Sequence, residues 1–228
     1  MKLPFVTFFK KSVVRFYNLQ IIMNKQAIIY LHGFNSASLD NEGRLLVRKA
    51  KLAVLQEFCR DHQIQLITPN VDYRDFEGLA EDQLLLWNQL LDQGYQVAFM
   101  GSSMGGFASE YLAMKTGSPA ILINPVISPT TTLQQFIGVT ANKETDADYE
   151  WSQENCQIFQ EVEQELRQSN RVLNRLVLLD MGDELLDANA SSLHYQCLGE
   201  VLTFKGGSHS FEHMREALAS LEGFLKVC

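Results

Sequence analysis

Gln96-Val97-Ala98-Phe99-Met100-Gly101-Ser102-Ser103-Met104-Gly105-Gly106-Phe107-Ala108-Ser109-Glu110-Tyr111-Leu112 is the stretch whose reading decides the fold. A short apolar run passes directly into Gly-x-Ser-x-Gly, and a helical pattern follows at once. A strand that turns into a helix this sharply forces its central serine into a strained conformation, so the positions two before and two after it must be nearly free of side chain. Gly101 and Gly105 meet that demand around Ser103 alone, which leaves Ser102 as a neighbour.

Working outward, the same rhythm of short β-rich run and longer helical stretch fills the chain from residue 26. The apolar runs are Ala27 to Leu31, Ile64 to Thr68, Gln96 to Met100, Ala120 to Ile123, Arg175 to Leu179 and Val201 to Phe204. Helical patterns lie near 41–60, 79–92, 104–116, 150–170, 189–196 and 211–226. In the last of these Phe211, Met214, Leu218, Leu221 and Leu225 mark one core-facing stripe. This alternation predicts an α/β fold, a mostly parallel sheet of about six strands with helices on both faces. One interval is too long for a simple crossover, running from Ile123 to Arg175. An insertion here, about residues 128–174, is read as a small helical cap over the carboxyl ends of the strands, where open α/β sheets bind ligands. The alternative is a peripheral helical excursion that never meets substrate.

The chain has 228 residues, 46% of them apolar and 20% charged, with 14 Gly, 5 Pro and 4 Cys, which fits one globular domain over residues 23–228 and excludes disorder and disulfide scaffolds. No run of roughly 18 apolar residues is present to span a membrane. A formal charge of −8 speaks against nucleic acid as partner. Residues 1–22 carry Lys2, Lys10, Lys11 and Arg15 and no acid, which leaves −8 − 4 = −12 for the rest. They read as a basic, dispensable extension upstream of a start at Met23, with an organelle-targeting or surface-attachment peptide as the alternative. Cys59, Cys156, Cys197 and Cys228 follow no metal-ligand or CxxC spacing, as reduced thiols of a cytoplasmic protein do, and no metal or cofactor is expected.

A serine hydroxyl becomes a useful nucleophile only beside a base, and the base needs an acid to fix its tautomer. The order Ser, acid, His is found after successive strands. Asp180-Met181-Gly182-Asp183-Glu184-Leu185-Leu186-Asp187 follows the fifth run, and Gly206-Gly207-Ser208-His209-Ser210-Phe211 follows the sixth. His209, in its glycine-rich loop, is the expected base, while His62, His194 and His213 lie on or beside helices as solvated or packed rings. Asp183, at the turn itself, is the expected acid. Asp187 is the main alternative and reads better as a helix N-cap; Asp180 reads as part of the strand, and Glu184 shares the loop. Acyl transfer also needs two N–H donors for an oxyanion, expected from Met104 and, in Leu31-His32-Gly33-Phe34-Asn35-Ser36, from Phe34. His32 reads as a ring fixing that loop rather than a second base.

Together these residues resemble the α/β-hydrolase superfamily, and more closely the small bacterial YqiA/YcfP-type esterases. The likeness rests on Tyr30 to Ser36, Gly101 to Gly106, Ile123-Asn124-Pro125-Val126, Gly182 to Asp187 and Gly206 to Phe211, in order along residues 26–226. It implies a compact α/β-hydrolase fold and a serine esterase or thioesterase with Ser103, Asp183 and His209 as triad. His32, Asn35 and Asn124 fall in the matching segments and are assigned to substrate binding. The expected partner is a small acyl ester or thioester. Acyl transfer by the same triad and a non-catalytic binding protein on the same scaffold are the competing readings. Residues 1–22 have no counterpart in the family pattern, and Gly138 to Glu154 matches it only loosely.

Overall fold

A computed structural model describes residues 25–46, 50–138 and 150–227. Six strands form one parallel sheet: β1 (Lys25–Leu31), β2 (Gln65–Ile67), β3 (Tyr95–Ser102), β4 (Ala120–Ile123), β5 (Arg175–Asp180) and β6 (Glu200–Phe204), in the order β2-β1-β3-β4-β5-β6. Among the described residues seven α-helices connect and follow them: α1 (Ala50–Asp61), α2 (Phe76–Asp92), α3 (Met104–Thr116), α4 (Pro129–Thr132), α5 (Gln153–Gln168), α6 (Ala188–Tyr195) and α7 (Met214–Lys226), with a 3-10 turn at Leu133–Phe136 after α4. The chain is thus the α/β-hydrolase fold that the motifs imply.

Period-two alternation on each strand explains the layers. Ala27, Ile29 and Leu31 of β1 face a core shared with Leu79 of α2, Phe107 and Leu112 of α3 and Phe159 of α5. Ile28 and Tyr30 face the other way, onto Leu52 and Phe58 of α1 and Leu221 and Phe224 of α7. Strand order reverses between β1 and β3, and the register there pairs Leu31 with Gly101. The crevice at such a switch point is where open α/β sheets take their ligands, and it lies directly beside Ser103.

Helix starts depart from expectation at α2 and α5, which begin at Phe76 and Gln153 rather than near 79 and 150, and at the first and last helices. Residues 41–46 are a turn, because the Asp40 carboxylate accepts the N–H groups of Glu42 and Arg44 and Gly43 takes a φ of +76°. The helix itself is described from Ala50. The final helix begins at Met214 rather than 211, since Phe211 has φ +61° and the N–H of Glu212 is bound by Asp180. Elsewhere local chemistry fixes the ends: Asp75 caps α2 through the Gly78 N–H, and Ser152 with Asn155 makes a capping box at α5. Residues 1–22, Cys228 and the polar stretch 139–149 lie outside the described residues. Among the described residues no helix is long and apolar enough to cross a membrane, and no cluster of metal-ligating side chains occurs.

The joint between β1 and α3 leaves no room for a side chain, because a Cβ on Gly105 would overlap the carbonyl oxygen of Leu31. Gly105→Ala is therefore expected to cost about 2 kcal/mol, a drop of roughly 4–8 °C in Tm. Gly223→Ala, exposed on α7 with open space around it, is expected to raise stability by up to about 1 kcal/mol. Thermal melts of the two variants check this, and an unchanged Tm for Gly105→Ala would contradict it.

Candidate active site

Ser103 is the hinge between β3 and α3, with φ +59° and ψ −121°. A non-glycine residue in such a region costs on the order of 1–3 kcal/mol and persists only when its surroundings impose it. Here they do. The Ser103 N–H donates to Ile123 O at 2.9 Å, and its carbonyl accepts from Gly106 at 2.9 Å and Val126 at 3.1 Å. A Cβ on Gly101 would overlap the carbonyl of Gly105, so both flanking glycines are required by backbone packing. The serine side chain makes no capping bond to α3 and lines two cavities instead.

The β5–α6 and β6–α7 loops come from neighbouring strands at the same edge of the sheet. Gly182 N–H donates to Gly206 O at 2.7 Å, which stitches the loops together. His209 Nδ1 donates to Asp183 Oδ2 at 2.8 Å, and Asp183 Oδ1 accepts the N–H groups of Leu185 and Leu186 at 2.9 Å each. Burial pushes the Asp183 carboxyl upward, but the His209 bond, the Leu186 N–H, the His209 charge and the Leu185 N–H together outweigh it and hold the group below the ordinary carboxylate range. Asp187 is engaged elsewhere, as the N-cap of α6 accepting from Asn189 and Ala190. Glu184 accepts the backbone N–H of His209 at 2.9 Å, the main reason its carboxyl is also held low.

Four residues stand where both cavities meet: Phe34, Asn35, Ser103 and His209. One cavity, of about 620 Å³, has a mixed lining in which Ser36, Lys51 and Ser102 stand beside Phe34, Leu52 and Phe211, with Lys51 Nζ donating to Ser102 Oγ at 2.6 Å. The other, of about 130 Å³, is bounded by Val126, Leu133, Phe136, Leu185 and Leu186. The stretch from α4 through the 3-10 turn thus borders Ser103, and the Phe34 ring is wedged between Phe136 and Trp151, at 5.1 and 4.7 Å. A further cavity of about 630 Å³ lies away from Ser103, beside the Arg175–Glu110 ion pair.

Met104 is the first residue of α3, so its N–H is one of the four that have no partner within the helix. His32 lines the larger cavity, yet its ring is engaged by the fold: Nε2 accepts the Val71 N–H at 3.0 Å and Nδ1 meets Gly33 O at 2.8 Å. Asn35, at φ +49°, borders both cavities. Asn124 belongs beneath the site rather than beside substrate. It is 2% exposed, its Nδ2 donates to Ser208 O at 3.0 Å and His209 O at 3.3 Å, and its Oδ1 accepts the Asp180 N–H.

Sequence reasoning missed a second carboxylate–histidine pair. Asp180, 0% exposed, accepts from His213 Nδ1 at 2.7 Å. That hydrogen bond is the largest influence raising the His213 pKa, against a smaller opposing effect of desolvation. Asp180 reads as strand and His213 as a packed or solvated ring, and the one available signal was an acid ending an apolar strand, where a buried charge needs a partner.

Known proteins resemble this chain in sequence and in fold. A relative from Serratia proteamaculans (strain 568), named as a UPF0227 protein, is 24% identical over 204 residues, covering 86% of this chain and 97% of its own. Among solved structures, Est1E from Butyrivibrio proteoclasticus is similar with a TM-score of 0.67 at 13% identity, covering 89% of this chain and 88% of that one. The esterase Pf2001 of Pyrococcus furiosus is similar with a TM-score of 0.60 at 13% identity, over 89% and 83%. These likenesses are of fold. The model of the uncharacterised protein family UPF0227 matches residues 27–226, from β1 to the end of α7, and the chain belongs to that family.

Proposed function

We propose that the protein is a serine hydrolase that cleaves carboxylic esters or thioesters through an acyl-enzyme. The observation that carries the reading is the Asp183–His209 hydrogen bond, with His209 and the strained Ser103 on the wall of the same two cavities. Asp183 holds Nδ1 protonated, which leaves Nε2 to take the Ser103 proton as Oγ attacks the acyl carbon. The oxyanion is received by the N–H groups of Met104 and Phe34. His209 then protonates the leaving group, and water repeats the sequence to release the acid. The small cavity, walled by Val126, Leu133, Phe136, Leu185 and Leu186, suits a short apolar acyl group, and the larger one, of mixed polar and apolar lining, suits the leaving group.

A fluorophosphonate probe is expected to label the wild type and not Ser103→Ala; equal labelling of both would remove Ser103 and direct attention to Ser102.

Asp183→Asn is expected to lower kcat by a factor on the order of 10⁴, as loss of the acid does in the template triad, while Asp187→Asn keeps a good N-cap and changes little. The sign of the pH effect follows from the lowered Asp183 pKa. Its stabilising contribution is full above the unfolded value of about 3.9 and is lost as pH falls through the lower folded value, so the stability gap between wild type and Asp183→Asn narrows in acid. Urea titrations from pH 7 downward read that gap, and a gap that widens in acid would contradict the assignment.

The 130 Å³ cavity holds about four water-sized groups, which predicts kcat/KM for p-nitrophenyl esters peaking at acetate to butyrate and falling at octanoate. Phe136→Ala opens its wall and is expected to raise octanoate hydrolysis at least about 10-fold, in line with pocket discrimination of 1–3 kcal/mol per methylene-sized change. A steady rise with chain length in the wild type would refute the confined pocket.

A further inference from the structure

We propose that Asp180, paired with His213, is a positioning residue for hydrolysis, fixing through the loop it grips where the His209 ring stands beside Ser103. The inference rests on the reading of Ser103 and His209 given above, and it assigns Asp180 no contact with substrate.

Asp180 ends β5 and is completely buried. An unpaired carboxylate there would be strongly destabilising, so its partners are a requirement of the fold. All three side-chain partners come from one short segment. Oδ2 accepts the N–H of Ser208 at 3.2 Å and of Glu212 at 2.7 Å, and Oδ1 accepts Nδ1–H of His213 at 2.7 Å. His209 lies inside this span, so the loop that carries it is wrapped around a single buried charge. Gly206 and Gly207 allow the wrap with φ of +77° and +74°, and a Cβ on Gly207 would overlap Asp180 Oδ2.

The grip is double. Asn124, from the end of β4, holds the carbonyls of Ser208 and His209 and takes the Asp180 N–H on its Oδ1. The His213 ring is itself fixed, stacked on Phe204 of β6 with centroids 5.3 Å apart and planes 11° from parallel. Two acid–histidine pairs therefore share the same two loops. His209, bonded to Asp183, lines both cavities that meet at Ser103, whereas Asp180 and His213 are absent from the lining of either and hold the loop on which His209 stands. Removing the rear pair leaves the front pair chemically intact but frees the backbone on both sides of His209. A misplacement of about 1 Å in a reacting group can cost about 10²-fold in rate, so the effect falls on kcat and spares KM.

The test uses His213→Gln and Asp180→Asn in the full chain, with p-nitrophenyl acetate as substrate and Ser103→Ala and His209→Ala measured alongside. Asp180→Asn risks the fold, so His213→Gln, whose side chain is 24% exposed, is the deciding variant. Its kcat is expected to fall 10- to 100-fold with KM within two-fold, at temperatures where melts show it folded. The ring N–H resonance of His209 in its bond to Asp183, followed by proton NMR, is expected to shift or broaden in the same variant. A folded His213→Gln with wild-type kcat and an unaltered His209 resonance overturns the proposal. If Ser103→Ala and His209→Ala keep wild-type hydrolysis, the functional reading has failed, and the NMR signal alone then decides whether the rear pair positions the ring.

Discussion

The carbonyl oxygen of Leu31 lies where a side chain on Gly105 would begin, and the carbonyl of Gly105 lies where one on Gly101 would. This three-way contact between β1, the end of β3 and the start of α3 is the constraint from which the rest follows. It brings the helix so close to the sheet that the one residue between them, Ser103, is held at φ +59° with its hydroxyl turned away from the helix cap. The strain is maintained by the bonds from Ile123, Gly106 and Val126, which tie the serine backbone to β4 and to the loop after it. A sheet edge that reverses strand order at the same place supplies the crevice.

Around that fixed point the neighbouring loops divide the work by depth. The front layer is His209, which lines both cavities, with Asp183 bonded to its ring; the rear layer is Asp180, His213 and Asn124, which hold the chain that carries the ring. Burial explains the division. A carboxylate without solvent must find donors, and Asp180 finds them in the backbone and ring of one loop, thereby turning an electrostatic necessity into precise placement. The two cavities differ in size and lining, a small, mainly apolar chamber on one side and a larger, mixed one containing Lys51 and Ser102 on the other.

The sheet was legible because buried parallel strands are continuous apolar runs, and each of the six runs lies on a strand of the sheet. Gly-x-Ser-x-Gly was legible because the turn tolerates so few residues. Asp183 could be separated from Asp187 by N-cap chemistry, and the structure has Asp187 capping α6. What stayed hidden was whatever depends on contacts between distant segments. Asn124 resembled a ligand-facing residue until its amide was seen bridging Asp180 and the His209 loop. His213 read as a solvated or packed ring beside a helix expected from residue 211, and the Asp180 carboxylate, 33 residues away in sequence, takes that ring while the left-handed Phe211 delays the helix to Met214. The turn at 41–46 was obscured by apolar spacing that Asp40 overrides with two local hydrogen bonds.

The central claim is that Ser103 carries an acyl group whose formation depends on His209. It is tested most directly by quenching the enzyme in acid during turnover of p-nitrophenyl acetate and measuring the intact and peptide masses. The account predicts one acetyl group on the peptide containing Ser103, formed in the wild type and lost in His209→Ala. Undiminished hydrolysis with no adduct, or an adduct on Ser102, would contradict it.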